Sequence, residues 1–381
     1  MLQTANGSGD TACNVELRRA GNVGVFSVTD GSLDTPVELA TVFALPGNIK
    51  VVDDVNWCAN QFNSSYIGCG QTPGPSFITE RFTASQEGIL WAHEYGHNTG
   101  LPHNPNINFV MYFSIGSNRL RVTNTECTSY GGTAPATSGT LGASLSVDPD
   151  KSEEVTKPPL TILAGAHTVY EEDGLPPVDE FVTQIYFEGL PLDLAAEYGP
   201  EDAQVLIGML EDDKFVTYHE NIALTLGMIG DNSASEVLIG YVDKGGVAAT
   251  EETRRAYKGV VGAIVGLGYL ANQTSDERAV DYLIDTARSA PAQNRMARLS
   301  REAGGSTATL SAELSKYALI SLGLSGQEKA QSFLRQVRQA PRTELNLQAL
   351  PRDVEGVLEQ SLDLNSTIQP QGIQQYYREN R

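Results

Sequence analysis

The sequence predicts an α+β protein in which a small mixed domain is followed by an all-α repeat domain. Three observations predict it: the cysteines cluster at one end, the composition changes after Tyr130, and helical motifs recur in the second half. A chain of 381 residues is long for one hydrophobic core, which favours two domains. We place the domains at 1–130 and 161–381, with a linker at 131–160.

The first part of the chain combines short β-type runs with turn-forming residues. The stretches NIKVVDDVNWC, YIGCG and SFITERF have the composition of extended strands. A helix is predicted next, with an apolar stretch at 88–92 and a stop at Gly100. Glycine suits that position because it readily adopts the left-handed conformation found at helix C-termini.

All four cysteines lie in the first 127 residues, at Cys13, Cys58, Cys69 and Cys127. An even number confined to one segment is typical of disulfides formed in an oxidising compartment. Of the three possible pairings we favour Cys58–Cys69, across a short hairpin-like stretch, with Cys13–Cys127 joining the ends of the domain. Four buried free thiols are the alternative.

Cysteine usage predicts an extracytoplasmic location, either secreted or at the cell surface. The opening residues, MLQTANGSGDTAC, lack the basic and apolar segments of a signal peptide, so either the protein stays inside the cell or this chain is a mature form. No run of 18 apolar residues occurs, so no transmembrane segment is expected. A net charge of −21 argues against a nucleic-acid partner, because phosphate backbones select basic surfaces.

The composition after Tyr130 is that of a linker. The stretch GGTAPATSGTLGAS is rich in small polar residues, and DPDKSEEVTKPP is charged and contains proline. Such segments are flexible and exposed.

Helical motifs repeat beyond the linker. The tetrapeptide VLIG at 205–208 recurs 32 residues later, and Leu-Gly pairs occur at 226–227, 267–268 and 322–323. The longer second interval matches an insertion around APAQNRMARLSREAGG. Repeats of this length with two helices each predict an α-solenoid, whereas an unrelated helical bundle is the alternative. Over roughly residues 190–365 the spacing resembles HEAT repeats, which implies a protein-binding surface.

The run HEYGHNTGLPH at 93–103 carries the chemistry. His93 and His97, four residues apart on a helix, differ by about 40° in azimuth and therefore point the same way. Gly100 lets the chain turn so that His103 can complete a three-histidine metal site, with a fourth position open for water, as in catalytic zinc centres. Three of the chain's five histidines lie in these eleven residues, which argues against coincidence.

The pattern HExxHxxGxxH resembles the signature of the metzincin zinc endopeptidases. A single Zn²⁺ bound by the three histidines would lower the pKa of its water to about 7, and Glu94 would act as the general base when that water attacks a peptide carbonyl. The resemblance also implies a methionine in a turn beneath the zinc, for which Met111 in NFVMYFS is the candidate. Some members have a tyrosine ligand two residues later, but Phe113 stands there, so none is expected.

The predicted function is zinc-dependent endopeptidase activity on peptide or protein substrates, with the helical repeats binding a partner or substrate near the cleft. Metzincins usually have a long helix and several strands before the active-site helix, whereas only about 80 residues precede it here. This difference motivates the alternative, a protein-binding solenoid scaffold carrying a reduced, weakly active or inactive metallopeptidase domain. Acidic clusters lack EF-hand spacing, so one zinc ion is the only metal expected.

Overall fold

The computed structural model has an α+β N-terminal region and a helical C-terminal region. It describes residues 3–6, 9–13, 23–27, 31–82, 84–116, 119–132, 169–170, 174–245, 253–289, 307–340, 345 and 354–380. Most of the predicted linker and the predicted insertion of the repeats lie outside these residues.

The strands are short and all belong to the N-terminal region within the described ranges. They are β1 (Gln3–Asn6), β2 (Gly9–Ala12), β3 (Ser32–Leu33), β4 (Ile49–Val52), β5 (Asp54–Val55), β6 (Trp57–Cys58), β7 (Gln61–Phe62), β8 (Gly68–Gly70), β9 (Phe77–Glu80) and β10 (Arg121–Val122). The sheet that matters for the site has the order β4-β9-β8, with β4 parallel and β8 antiparallel to β9. Strand β8 is therefore one of its two edges.

Three helices accompany these strands: α1 (Pro36–Phe43), α2 (Ala84–Asn98) and α3 (Asn124–Ser129). The end of α2 follows the sequence prediction. Gly100 has a φ of 84°, its N–H donates to the His97 carbonyl at 2.8 Å, and the Leu101 N–H donates to the Gly96 carbonyl at 3.0 Å. These two bonds form a Schellman motif, which ends the helix and turns the chain back towards it.

The helical region follows residue 174. Its helices are α4 (Val178–Val182), α5 (Leu192–Ala195), α6 (Pro200–Leu210), α7 (His219–Ile229), α8 (Ser233–Lys244), α9 (Thr253–Thr274), α10 (Glu277–Ser289), α11 (Thr307–Leu324), α12 (Glu328–Gln339), α13 (Val354–Ile368) and α14 (Ile373–Glu379), with a 3₁₀ helix at Asp213–Tyr218. Helices α7, α9, α11 and α13 pack side by side in one row, and α6, α8, α10 and α12 lie against them.

The repeated Leu-Gly pairs mark the places where helices of the first row cross. A Cβ atom at Gly227 of α7 would clash with the Gly266 carbonyl of α9. A Cβ at Gly268 would lie 2.5 Å from the Ser321 carbonyl oxygen of α11, and one at Gly323 would lie 2.6 Å from the Ser361 carbonyl oxygen of α13. Glycine therefore recurs because backbones approach closely at each crossing.

The N-terminal and helical regions share one hydrophobic core, which runs from Leu33 to Tyr377. Buried polar contacts also join them. Lys316 of α11 pairs with Asp34, and both side chains are fully buried. The Tyr377 hydroxyl donates to the Phe62 carbonyl at 2.7 Å. The helices therefore pack directly against the N-terminal region.

The structure contains the two disulfides that the sequence favours, Cys13–Cys127 and Cys58–Cys69. The first joins the N-terminal strands to α3, and the second joins β6 to β8. Their presence fits an extracytoplasmic location. No helix in the described part of the chain is long and apolar enough to span a bilayer.

Candidate metal centre

Helix α2 and the turn after it bring the three predicted histidine ligands together. His93 and His97 lie on one buried face of the helix, and their Nε2 atoms are 3.1 Å apart. The Schellman turn at Gly100 carries His103 back to the same place, with its ring centroid 4.8 Å from that of His97. The spacing predicted from the sequence therefore places all three imidazoles around one point.

Backbone carbonyls fix the orientation of two of these rings. His93 Nδ1 lies 2.8 Å from the Val110 carbonyl oxygen, and His97 Nδ1 lies 2.9 Å from the Leu101 carbonyl oxygen. An Nδ1–H that donates to a carbonyl leaves the Nε2 lone pair free to bind a metal. Burial lowers the pKa of His93 to about 4, which keeps it in the neutral form that a ligand needs.

The Glu94 carboxyl lies against the edge strand β8. A Cβ at Gly68 would clash with its Oε1, and one at Gly70 would lie 3.0 Å from its Oε2, so β8 has glycine where the carboxyl lies. Oε1 is buried and has no hydrogen-bond partner among the described residues. Burial, and next the charge of nearby Glu188, raise the pKa of Glu94 well above its usual range.

Met111 lies in a turn beneath α2. The turn is closed by the Tyr112 N–H, which donates to the Phe109 carbonyl at 3.1 Å. Met111 is fully buried, and a Cβ at Gly96 would clash with its Sδ. The Tyr130 hydroxyl lies 3.1 Å from the same sulfur. Met111 therefore packs against α2 at Gly96, between the two helical histidines in sequence, and glycine there allows the close contact.

A fourth residue, Glu188, completes the cluster, and sequence reasoning did not identify it. It lies between α4 and α5, and its side chain is 22% exposed. Its Oε1 lies 3.2 Å from Nε2 of His93, 3.0 Å from Nε2 of His97 and 2.9 Å from Nε2 of His103. Ligand atoms around a tetrahedral zinc ion are about 3.3 Å apart, given zinc–nitrogen distances of about 2.0–2.1 Å.

The charge state of Glu188 also suits a ligand. Burial alone would raise its pKa, but the electrostatic interaction with His103 and the close contacts of its carboxylate with the three imidazoles hold the pKa well below its usual range. The carboxylate is therefore ionised. The only sequence signal for it is an acidic residue within the otherwise uncharged run QIYFEGLPL, which has no ligand spacing to mark it.

The group of His93, His97, His103 and Glu188 can hold a metal ion. Three neutral imidazoles and one carboxylate are a donor set that suits zinc, and imidazole also binds iron, nickel and copper. The donor atoms therefore fit a metal ion without fixing which one. No protein family, curated protein sequence or solved structure matches the chain. The case for a function depends on the chemistry of this site.

Proposed function

We propose that the protein is a zinc-dependent endopeptidase of metzincin type, with His93, His97 and His103 as zinc ligands and Glu94 as general base. The observation that carries this proposal is that three imidazole Nε2 atoms converge, while the helix of His93 and His97 also carries Glu94, a buried carboxyl whose Oε1 has no hydrogen-bond partner among the described residues. A structural metal site does not need that extra carboxyl.

In this proposal, some residues bind and orient the metal ligands, and Glu94 transfers the proton. Bound zinc would supply Lewis acidity and lower the pKa of a water molecule. The carbonyls of Val110 and Leu101 hold the imidazoles in the orientation that binding needs. Glu94, in its ionised form, would accept a proton from the attacking water and return it to the leaving amine.

Strand β8 is suited to bind an extended peptide. It is an edge of its sheet, and its glycines let the Glu94 carboxyl lie directly against its backbone. An extended substrate can add to such an edge through main-chain hydrogen bonds. The helical array, which we propose to be HEAT-like, would bind a protein substrate or partner close to this edge.

The test compares two glutamates of α2 in zinc-loaded protein. Glu94→Gln keeps the three histidines and removes the proton acceptor, whereas Glu87→Gln changes a first-turn glutamate of the same helix. We expect Glu94→Gln to lower the rate of peptide cleavage by about 10²–10⁴-fold while zinc stoichiometry stays at one. Glu87→Gln should cleave like its parent. The assay uses both the natural chain and a Glu188→Ala background, because Glu188 occupies the fourth position.

One observation favours a second candidate, a scaffold in which the metal is purely structural. Structural zinc sites have four protein ligands, and Glu188 supplies the fourth here. In that case neither background would cleave peptides, Glu94→Gln would change nothing, and chelation would lower the free energy of unfolding by several kcal/mol.

A further inference from the structure

The segment that carries Glu188 lies between the chain that follows Met111 and the stretch that precedes strand β8. The Phe187 N–H donates to the Phe113 carbonyl at 3.1 Å, and the Ile115 N–H donates to the Ile185 carbonyl at 2.8 Å. Ser114 and Tyr186 form an antiparallel bridge between these bonds. One side of residues 185–190 therefore pairs with the chain that follows Met111.

The other side of the segment is bound next to strand β8. The Ile67 N–H, which directly precedes that strand, donates to the Phe187 carbonyl at 3.3 Å. The Ser65 hydroxyl accepts from the Leu190 N–H at 2.7 Å, and Asn63 Nδ2 donates to the Leu190 carbonyl at 2.9 Å. The backbone of the segment is thus hydrogen-bonded from both walls, by main-chain groups on one side and by one main-chain group and two side chains on the other.

Its side chains fill the space above the histidines. The Phe187 ring is fully buried and stacks on the His93 ring, with centroids 3.7 Å apart and an interplanar angle of 10°. Glu188 contacts all three Nε2 atoms. Gly189 has a φ of 69°, and a Cβ there would lie 2.6 Å from Asn63 Nδ2, so glycine allows the segment to fit against the wall.

We infer that residues 185–190 are an internal inhibitory segment that occupies the substrate cleft, with Glu188 as a displaceable ligand in the position that water must take. The inference rests on the proposed function, because it assigns the cleft to peptide substrates. Two features support it: the backbone of the segment is hydrogen-bonded from both sides, as that of a bound peptide would be, and a carboxylate takes the coordination position that catalytic zinc keeps open. Peptide therefore reaches the site only after the segment moves.

The test measures access to the metal separately from activity. The full chain is loaded with Co²⁺ or Zn²⁺, as the natural protein and as the variants Glu188→Ala, Glu188→Gln and Glu180→Ala. Glu180 is an exposed acidic residue of α4 and serves as the matched control. Acetohydroxamate is titrated while the visible spectrum of the cobalt protein is recorded, and peptide cleavage is assayed with the zinc protein.

Removal of Glu188 should open the site. We expect Glu188→Ala to keep one metal ion, bind acetohydroxamate at least about tenfold more tightly than the natural chain, and cleave peptides faster by a similar factor. Glu180→Ala should behave like the natural chain. Glu188→Gln keeps the side-chain volume and should show the same direction of change, so the result does not depend on how well the alanine variant folds.

The outcomes separate this inference from the proposed function. If the Glu188 variants bind hydroxamate more tightly than the natural chain but do not cleave peptides, the result supports the inference that the segment blocks the site. It contradicts the proposed peptidase activity. If the natural chain and both Glu188 variants bind hydroxamate equally well, the inference of an inhibitory segment is overturned, whatever their peptidase activity. Loss of the metal from Glu188→Ala and Glu188→Gln also overturns it, because Glu188 would then be an integral ligand rather than a displaceable one.

Discussion

The N-terminal region, which holds the histidine cluster, and the helical region are stabilised by different means. The first has strands of only two to four residues and two disulfides that join distant parts of the chain. The second contains no cysteine, and its helices pack through close backbone contacts at glycines. The comparison shows that a region with little regular structure can hold three buried imidazoles when cross-links and a neighbouring helical array support it.

The two regions also meet at the site itself. The histidines and Glu94 come from the N-terminal region, but Glu188 comes from the connection between α4 and α5. The buried Lys316–Asp34 pair and the shared core hold the regions together. Truncation of the helices would therefore remove Glu188 and part of the core at once, and single substitutions are the sharper tool.

The largest expected effect is on metal binding and should be confined to the first region. His97→Ala removes a ligand, so the metal affinity should fall by more than about 100-fold, the upper range for loss of a residue that merely supports a ligand. His219→Ala changes a buried histidine of α7 that bonds to Tyr241 and should keep one metal ion in the folded protein. Metal analysis after dialysis measures the metal content of both variants. Equal loss of metal from the two would contradict the assignment of the metal to the N-terminal region.

A smaller effect, on stability alone, tests the packing of the second region. Gly268→Ala places a Cβ 2.5 Å from the Ser321 carbonyl oxygen and should lower the free energy of unfolding by about 1–3 kcal/mol. Gly208→Ala introduces a Cβ with no atom within 4 Å on an exposed helix position, so it should raise that free energy by about 0.5–1 kcal/mol. Denaturant unfolding measures both free energies. If both variants shift the free energy of unfolding in the same direction, the claim that the helix crossings depend on glycine is contradicted.

The third effect is a pH dependence at the junction of the regions. Burial raises the pKa of Glu220 to about 8, Lys258 lowers it and Glu80 raises it further. A carboxyl whose pKa is higher in the folded state stabilises the fold below its unfolded pKa, near 4.5, and that contribution is lost as the pH rises through 8.

Glu220→Gln should therefore be more stable than the natural chain at pH 8 by about 1–3 kcal/mol, and the difference should shrink towards pH 4.5. Urea unfolding at several pH values gives the comparison. Glu211→Gln, an exposed acidic residue at the end of α6, is the control and should show no such trend. A difference that grows on acidification would have the wrong sign for this account.

The histidine cluster could be predicted from the sequence because its ligands are close in the chain. Helix geometry fixes His93 relative to His97, and Gly100 sets the turn that returns His103, so local rules were sufficient. The disulfide pairing also followed from the cysteine distribution. Glu188 could not be predicted, since it reaches the site through tertiary packing 85 residues beyond His103 and carries no spacing signal.

In the helical region, too, the sequence predicted the local structure but not the long-range contacts. The Leu-Gly repeats predicted paired helices, and the structure shows why glycine recurs there. They did not indicate that the helices would share a core with the strands, because contacts such as Tyr377 with Phe62 join residues more than 300 positions apart. Local periodicity carries no information about such contacts.

The most direct test of the central claim is peptide cleavage by the zinc-loaded Glu188→Ala protein, compared with the Glu188→Ala/Glu94→Gln double variant at equal zinc content. The account predicts cleavage by the first, abolished by chelation and restored by zinc, and a rate lower by about 10²–10⁴-fold in the second. Equal rates in the two proteins, or no cleavage by either, would contradict it.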